Sequence, residues 1–337
     1  MENKGPFINE LPQLGEVTLQ AVVLEKELRP KRNGGFFLAL RFADRGGEID
    51  GKVWENPEIV CQSFEREDVV KVRGTVEVYN DKPQIIVSRI RRCDSKEYNA
   101  ADFYATSTRD PDEMFGELQG FVTMVRDKAL RELLDLIVND PAIESRVKSA
   151  PAAMKIHHAF RGGLLEHIVS LCNLGVSLCA HYPRLNVDLL IASAILHDLG
   201  KVETLELTGV RFTYTTRGQL IEHVTLGLEI LEQHTSRIPE FPIELKTILQ
   251  HLLVSHHGDL DKGALRRPML PEAFAFSLLD LMDARLEQAF RLIDSAPSGD
   301  EFTPYVPSLE RQLFRGFGVA QTKRHSPTTD AEGGAAA

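Results

Sequence analysis

The periodicity of the apolar residues changes near residue 110, and this change constrains the fold more than any other feature of the chain. Between residues 16 and 92, short runs rich in β-branched and aromatic residues alternate with turn residues, a pattern typical of strands. We expect five strands, at about 17–24, 36–42, 49–54, 69–79 and 84–90. With a short helix at about 57–64, between the third and fourth strands, this pattern favours a small closed or half-closed barrel.

From residue 111 onward, apolar residues recur at helical spacing. Asp110-Pro111 is a typical helix start, because aspartate caps the first turn and proline suits the first helical position. Further helices are expected at about 129–139, 141–149, 163–181, 187–199, 218–236, 241–257 and 270–293. The stretch 93–110 has no clear period and predicts a linker, whereas 202–217 predicts a loop or a small hairpin.

The fold class that we predict is therefore a multidomain protein, β followed by all-α. Its predicted parts are a barrel domain over 1–95, a linker with connecting helices over 96–140, a helical domain over 141–317 and a tail over 318–337. The tail is low in complexity and is expected to be disordered.

The 337-residue chain has an ordinary globular composition, with 43% hydrophobic and 26% charged residues. This composition excludes a fibrous protein and disorder over the whole chain. No apolar run approaches the roughly 20 residues of a membrane helix. The start, Met1 to Gly5, lacks the apolar segment of a signal peptide, and the four cysteines form no C-x-x-C pair. We expect a cytoplasmic protein with no membrane partner.

Ten of the eleven histidines lie between residues 157 and 257. One of them, His197, precedes Asp198 at the end of a helix that is apolar on nearly every side and should be buried. A buried His–Asp pair is costly unless something satisfies it. A metal ion bound by both side chains would do so, and a plain ion pair is the structural alternative. Gly200 is expected to end the helix in the left-handed conformation, and Lys201 could hold a phosphate as a point charge.

Further histidines and carboxylates complete a recognisable order. They are His167, His223, His256, His257, Asp280 and Asp283. The order His, His-Asp, His, His-His, Asp resembles that of the HD-domain metal-dependent phosphohydrolases that bind two metals. The segments 157–167 (HHAFRGGLLEH) and 255–258 (SHHG), behind an N-terminal barrel, resemble the YhaM-type 3′-to-5′ exoribonucleases. This resemblance spans about residues 14–295.

The resemblance implies a two-ion centre that activates water for attack on a phosphodiester. One ion would be held by His167, His197, Asp198 and Asp280. The second would be held by His223, His256 and His257 together with Asp198, because one carboxylate can bind two ions. We expect manganese, with iron, cobalt or zinc as alternatives, since mixed histidine and carboxylate ligands suit all four.

The last ligand is open between two residues. Asp280 matches the first aspartate of the family's final motif and is favoured, while Asp283 lies three residues on, on the same helix face. The one that is not a ligand is expected to orient a ligand. Arg161, which precedes two glycines near a helix N-terminus, is a candidate phosphate contact. The predicted catalytic residues are thus Asp198, Lys201 and Arg161.

The N-terminal strands resemble an OB-fold of the anticodon-binding type, including Gly51-Lys52-Val53-Trp54 on the third strand. Such barrels bind single strands by stacking bases on aromatic side chains beside basic residues. The candidates for substrate binding are Trp54, Phe37, Lys52 and Arg73, with Phe42 and Tyr79 as further aromatics. Further basic candidates on the barrel are Lys31, Arg32, Arg41, Lys71, Lys82 and Arg89. Because strand alternation buries every second residue, about half of these aromatics are expected to belong to the barrel core.

The net charge of −10 argues at face value against a nucleic-acid partner. Residues 1–95, however, carry 15 basic and 16 acidic residues, a balance of −1, whereas residues 96–337 carry 24 and 33, a balance of −9. The acidity therefore belongs to the helical half, where bound dications would offset part of it. The barrel can still present a basic face to a nucleic acid.

These observations predict a metal-dependent 3′-to-5′ exonuclease that acts on single-stranded RNA, or on DNA as well. One alternative is a phosphodiesterase or phosphatase that acts on small or cyclic nucleotides. Another is a nucleic-acid-binding protein whose HD domain is inactive. The sequence leaves the oligomeric state open.

Overall fold

A computed structural model describes residues 4–31, 33–80, 82–103, 106–153, 158–208, 211–295 and 300–316. The predicted tail over 318–337, Arg32 and His157 lie outside the described residues. The chain divides into two compact units, residues 1–285 and residues 286–337. The first unit holds the strands and the helices up to the first part of the last helix, and the second is described by itself.

The N-terminal strands form a closed five-stranded barrel in the order β1-β2-β3-β5-β4, which confirms the predicted OB-fold. The strands are β1 (Gly15–Pro30), β2 (Phe36–Asp44), β3 (Gly47–Val53), β4 (Val69–Tyr79) and β5 (Lys82–Arg92). A short helix, α1 (Pro57–Cys61), lies between β3 and β4. The parallel pairing of β3 with β5 is short, and it joins Asp50–Lys52 to Gln84–Ile86.

Strand β1 is twice as long as predicted, because it serves two neighbours. Its first half pairs with β4, from Gly15 to Val22, and its second half pairs with β2, from Val22 to Pro30. A register shift between Val23 and Glu25 bends the strand where it changes partner. The prediction ended at Leu24 because the following residues are mostly charged, yet on this outer stretch alternate charged side chains face solvent while the backbone still pairs.

The barrel core consists of alternate strand residues, and its largest fully buried side chain is Phe42. A Cβ on Gly51 would lie 2.4 Å from the Phe42 ring, so glycine allows this ring to fill the centre. The connecting segment after β5 packs back on the barrel, where Cys93 and Phe103 join a small buried cluster with Val22 and Val69. The predicted linker is therefore anchored to the barrel over its first part.

The second half of the chain is helical. The helices are α2 (Pro111–Met124), α3 (Lys128–Val138), α4 (Pro141–Val147), α5 (Gly163–His181), α6 (Val187–Leu196), α7 (Lys201–Thr204), α8 (Thr216–Thr235), α9 (Ile243–Ser255) and α10 (Pro271–Ser295). The predicted cap is confirmed, since the Asp110 side chain accepts hydrogen bonds from Asp112 and Glu113. The stretch 202–217 contains α7 and a small hairpin, β6 (Leu205–Thr208) and β7 (Arg211–Tyr214).

Helix α6 is the centre of the helical core. As its all-round apolar sequence predicts, every residue from Leu190 to Leu196 is buried, and α6 packs against α5 and α9. Helix α5 is the one described helix that is long and apolar enough to cross a membrane by length and composition, but half of its apolar stretch is buried inside the protein. Core helices of soluble proteins pass the same test.

The second unit begins within α10, at Leu286. After the helix, the chain folds back on itself through two isolated bridges, Phe302 with Phe314 and Val306 with Arg311. The Gln288 side chain donates a hydrogen bond to Ser308.

Candidate metal centre and strand-binding face

Five different elements bring the predicted ligands together. His167 lies in the second turn of α5, His197 and Asp198 lie in the turn between α6 and α7, and His223 lies at a break in α8. His256 and His257 follow the end of α9, and Asp280 and Asp283 project from α10. Three sets of three possible ligand atoms lie within 4.8 Å of one another among the described residues: His167 with His197 and Asp198, His223 with His256 and His257, and His158 with His167 and Asp283.

The first half of the cluster surrounds the Nε2 atoms of His167 and His197. His167 Nε2 lies 3.1 Å from Asp280 Oδ1, and His197 Nε2 lies 4.0 Å from the same oxygen. His197 Nε2 also lies 3.3 Å from Asp198 Oδ2. Two imidazole nitrogens and two carboxylates therefore face one small space.

The second half surrounds the other oxygen of the same aspartate. Asp198 Oδ1 lies 3.4 Å from His223 Nε2 and 3.8 Å from His256 Nε2. His257 Nε2 lies 3.3 Å from His223 Nε2. Because Oδ2 faces one half and Oδ1 the other, Asp198 connects the two halves through a single carboxylate.

In four of the histidines, Nδ1 is held by an acceptor on the far side of the ring. His197 donates to the Ala194 carbonyl at 3.0 Å, and His256 donates to the Leu253 carbonyl at 2.7 Å. For His167 the acceptor is Asp283, 2.7 Å away, and for His223 it is the Glu222 carboxylate. An acceptor at Nδ1 places the proton there and leaves the lone pair on Nε2, which is how proteins prepare a histidine to bind a metal.

Three buried atoms of the cluster that could bind a metal have no hydrogen-bond partner among the described residues: His197 Nε2, His256 Nε2 and Asp198 Oδ1. Buried polar atoms are nearly always satisfied, because an unpaired one costs about 1–3 kcal/mol. All three point at the shared space, and nitrogen and carboxylate oxygen are both good ligands for a divalent transition metal. The residues present therefore fit a metal centre.

The electrostatics of the cluster keep its donors in the forms that bind cations. Burial would raise the pKa of the Asp198 carboxyl, but Lys201 and His197 outweigh burial and hold that pKa well below its usual range. Burial lowers the pKa of His256 well below its usual range, and the neighbouring His257 and His197 lower it further. Burial also lowers the pKa of His257. At neutral pH the aspartate is thus charged and both imidazoles are neutral.

His167 behaves differently from the other histidines. Burial disfavours its charged form, yet hydrogen bonds with Asp280 and Asp283 outweigh burial and raise its pKa to about 9. A proton on His167 therefore balances the two carboxylates when no cation does. A metal ion that binds here has to displace this proton.

The positions of Asp280 and Asp283 differ in a way that the sequence could not show. Asp280 faces the Nε2 atoms inside the cluster, whereas Asp283 lies behind the His167 ring. Asp283 is itself held by a hydrogen bond from Ser170 and lies 3.3 Å from His158 Nε2. Ser170 is not distinguished in the sequence, because its role depends on what lies opposite it on α10. In the sequence His158 is open to a pocket or substrate role, and its contact with Asp283 places it behind His167.

Helix α8 breaks at Glu222, whose φ of 63° and ψ of 164° are not helical. This region of backbone space is nearly restricted to glycine, so a glutamate here is strained by about 1–3 kcal/mol. The break directs His223 into the cluster, and the Glu222 carboxylate holds both the ring and the backbone N–H of His223. Glu222 is a second residue that sequence reasoning missed, because nothing in a helical pattern marks a break.

Gly200 has a different role from the one predicted. Its φ of −59° and ψ of −18° are right-handed, so it does not end the helix in the left-handed conformation. A Cβ at this position would lie 1.9 Å from the His223 carbonyl oxygen and 2.6 Å from Gly227 N. Glycine is therefore required because α8 passes directly over the turn that carries His197 and Asp198.

The two basic residues predicted near the site lie in different surroundings. Lys201 Nζ donates to Asp198 Oδ2 at 2.5 Å and is nearly buried, so it touches the cluster directly. Arg161 is exposed and lines a cavity of about 590 Å³ together with Arg146, Glu203 and Arg217. Its backbone pairs with Thr106 of the connecting segment.

The predicted substrate-binding residues of the barrel lie on two faces. On the β2–β3 face, the Phe37 and Trp54 rings stack with their centroids 4.8 Å apart, and Lys52 Nζ lies 4.6 Å above the centroid of the Tyr79 ring. Trp54 and Tyr79 are exposed, whereas Phe42 is fully buried and is therefore a core residue. We call Phe37, Lys52, Trp54 and Tyr79 the aromatic face. Arg73 lies on β4, in a groove that Val53 and Glu55, the chain neighbours of Trp54, also line.

Comparisons with known proteins agree with this architecture. A model of the HD domain matches residues 164–285, and a model of the OB-fold nucleic acid binding domain matches residues 17–92. An HD domain implies dependence on a divalent metal, for which the cluster supplies ligands. The fold and the site thus define a hydrolase of the HD-domain class that carries an N-terminal OB-fold.

The chain belongs to the family of the 3′-5′ exoribonuclease YhaM. It is 32% identical to YhaM of Bacillus subtilis (strain 168) over 314 residues, which cover 92% of this chain and 97% of that protein. It is also 32% identical to YhaM of Listeria innocua over 84% of this chain and 89% of that protein. The second OB-fold domain of replication protein A from Methanococcus maripaludis aligns with 26% of this chain and 93% of its own length, at 23% identity and a TM-score of 0.22. The fold assignment does not depend on that likeness.

Proposed function

We propose that this protein hydrolyses phosphodiester bonds of single-stranded RNA from the 3′ end, and that it also accepts single-stranded DNA. The observation that carries the proposal is the buried cluster in which His197 Nε2, His256 Nε2 and Asp198 Oδ1 face one another without a described hydrogen-bond partner. Membership in the exoribonuclease family supports the substrate and the direction. The similarity includes the barrel, which favours a polymer over a small or cyclic nucleotide.

In this proposal His167, His197, Asp198 and Asp280 hold one divalent ion. His223, His256 and His257 hold a second, with Asp198 shared between both. The ions, manganese by expectation, would supply a water of lowered pKa and would offset charge on the phosphate. Asp283 is assigned to orienting His167, because its carboxylate lies at the Nδ1 side of that ring.

The remaining roles belong to the chain's own side chains. Asp198 fixes the spacing of the two halves, since its two oxygens face different histidines. Lys201 would contact a phosphate oxygen, a role supported by its ammonium group, which lies 2.5 Å from Asp198 Oδ2. Arg161 lines a cavity, and there it would contact a phosphate of the bound nucleic acid. The fixed Nδ1 hydrogen bonds keep the imidazoles oriented throughout.

The aromatic face would hold the strand upstream of the site. Trp54, which stacks on the half-buried Phe37, and Tyr79 offer exposed ring surface on which bases can stack. Lys31 lies over the Trp54 ring and Lys52 over the Tyr79 ring, as cations for phosphates. Such binding is independent of sequence, because every base has a stacking face. A cytoplasmic location and the absence of a membrane partner remain part of the proposal.

The test uses one oligoribonucleotide labelled at the 5′ end in one sample and at the 3′ end in another. With manganese, we expect the 5′ label to appear in a ladder of shortening products and the 3′ label to appear at once in released mononucleotide. EDTA should abolish both. Asp198→Ala should lose at least 100-fold in rate, because it removes the residue common to both halves.

Asp261→Ala is the matched control, since Asp261 is an exposed aspartate outside the cluster, and it should keep the wild-type rate. Release of 5′-labelled mononucleotide first would contradict the direction. Full activity of Asp198→Ala, or activity that is unchanged in EDTA, would contradict the assigned centre.

A further inference from the structure

A second groove lies on the barrel where β3 and β5 separate after their short parallel pairing. It encloses about 550 Å³, and its floor is apolar, formed by Val53, Val60, Val87 and Ile90. Four basic residues line it, Lys71, Arg73, Arg89 and Arg91, against a single acidic residue, Glu55. We call this the cationic groove. It differs from the β2–β3 surface that OB-folds generally use for oligonucleotides.

The four basic residues occupy opposite register positions on two neighbouring strands, so that like charges face each other. In the register of β4 and β5, Arg73 lies opposite Arg89, and Lys71 lies opposite Arg91. Like charges directly opposite on antiparallel strands destabilise a sheet. Two such pairs two residues apart, in a chain whose net charge is −10, are a feature that the fold does not require. An anionic ligand would relieve the repulsion.

The hydrogen bonds and ion pairs of these basic residues leave part of their positive charge available to bind an anion. Arg91 donates two hydrogen bonds to Glu97 and so belongs to the connecting segment. Arg73 pairs with Glu16 at 3.1 Å, but both side chains are more than half exposed, so the pair is weak and easily exchanged. Within the described part of the chain, no ion pair is found for Arg89. Arg73 and Arg89 are thus the cations best placed to meet a ligand.

We propose that the cationic groove binds the sugar–phosphate backbone of the single strand, as a second site beyond the aromatic face. None of the described lining residues is aromatic, so the groove offers charge and no surface for base stacking. This inference rests on the proposed function, because the anion that it assigns is the substrate strand. The two faces then divide the binding, with stacking on one and phosphate contacts on the other.

The experiment measures binding of a fluorescent oligoribonucleotide to the full-length protein by anisotropy between 50 and 300 mM salt, with EDTA present so that the strand stays intact. The variants are Arg73→Gln/Arg89→Gln, Trp54→Ala and a control, Arg131→Gln/Arg184→Gln. The control removes the same charge from two exposed arginines of the helical half. Each phosphate contact contributes about 0.7 to the slope of log K against log salt for single strands.

We expect the groove variant to bind more weakly at low salt and to lose about 1.4 from the slope, which is two contacts. Trp54→Ala should weaken binding by a similar factor at every salt concentration and should keep the slope. The control should keep the wild-type slope. The groove variant should also have a higher melting temperature than the wild type, because it removes one like-charge pair, and this shows that it is folded.

A folded groove variant whose slope equals that of the control would overturn the inference. If Trp54→Ala still weakens binding in that case, the proposed function stands and only the groove is wrong. If the wild-type protein binds no single strand at any salt concentration, or cleaves none in the end-label assay, the proposed function is what fails.

Discussion

At the scale of the residue, the candidate site depends on what lies behind each ligand as much as on the ligand itself. Four histidines face the cluster through Nε2 because a carbonyl or a carboxylate holds Nδ1. For two of them the partner is a backbone carbonyl three residues earlier in the chain, which the local helix supplies. For His167 and His223 the partner is the carboxylate of a particular residue, Asp283 and Glu222, and the helix backbone cannot provide it.

Glu222 is the most informative of these partners, because it accepts backbone strain at the position where it holds His223. Glu222→Gly should relieve the strain but also remove both hydrogen bonds to His223. Because these effects oppose each other, the free energy of unfolding of the metal-free protein should change by less than about 1 kcal/mol. The same variant should weaken binding of the second ion about 10-fold, since it removes the group that orients His223. Urea unfolding and calorimetric titration of the metal-free protein with manganese measure the two effects.

Glu222→Gln is the matched variant, because its amide oxygen can still accept from His223 Nδ1 while the backbone strain stays. It should bind manganese nearly as the wild type does and gain no stability. If Glu222→Gly binds two ions as tightly as the wild type, Glu222 has no orienting role.

At the scale of the element, the connecting segment is attached to the barrel by a small polar network. Glu97 accepts two hydrogen bonds from Arg91 of β5 and one from the backbone of Asp94, while its own carbonyl accepts from Gln20 of β1. The hydrogen bond from Arg91 is the main reason that the pKa of Glu97 is lowered from 4.5 to about 2. In the folded state the Glu97 carboxyl therefore stays ionised to a lower pH than in the unfolded chain.

A carboxyl whose pKa is lower in the folded state stabilises the fold above its unfolded pKa, and this contribution disappears as the pH falls through the folded value. Glu97→Gln should therefore lower the urea midpoint at pH 7, and the difference from the wild type should shrink as the pH falls from about 4.5 toward about 2. Glu58→Gln, at an exposed glutamate of α1, is the control and should follow the wild type at each pH. A difference that is constant with pH would exclude the ion pair as its cause.

At the scale of the whole molecule, the helical half concentrates negative charge, and the cluster brings Asp198, Asp280 and Asp283 of that half together. Metal-free, the cluster is balanced by Lys201 and by a proton on His167. Divalent ions would replace that balance with stronger interactions that exist only in the folded state. Ligands that bind only the folded protein stabilise it by mass action.

Adding manganese to the metal-free protein should therefore raise its melting temperature by a few degrees, since saturation at 100 times Kd is worth about 2.7 kcal/mol. Asp198→Ala should lose most of this rise, because it removes the carboxylate shared by both halves. Asp261→Ala should show the full rise. Scanning calorimetry with and without manganese measures the shift, and an equal shift in all three proteins would place the stabilising ion elsewhere.

The sequence by itself determined the order of the two folds, because the period of its apolar residues changes from strand to helix spacing. It also determined which residue types could form a metal site, since ten histidines in one segment of the chain are unusual and the family motifs order them. Local signals were sufficient where a residue acts on its neighbours, as in the Asp110 cap and the buried helix α6.

Only the tertiary structure decided which side of each ring faces the cluster, which of Asp280 and Asp283 faces inward, and which aromatic is core. It also brought Arg73 into one groove with Arg89, and it gave Gly200 its role under α8. The physical reason is that these properties depend on atoms from distant parts of the chain, such as α10 behind His167 or β5 beside β4. A periodic pattern records which face of an element is buried, and it does not record what the buried face meets.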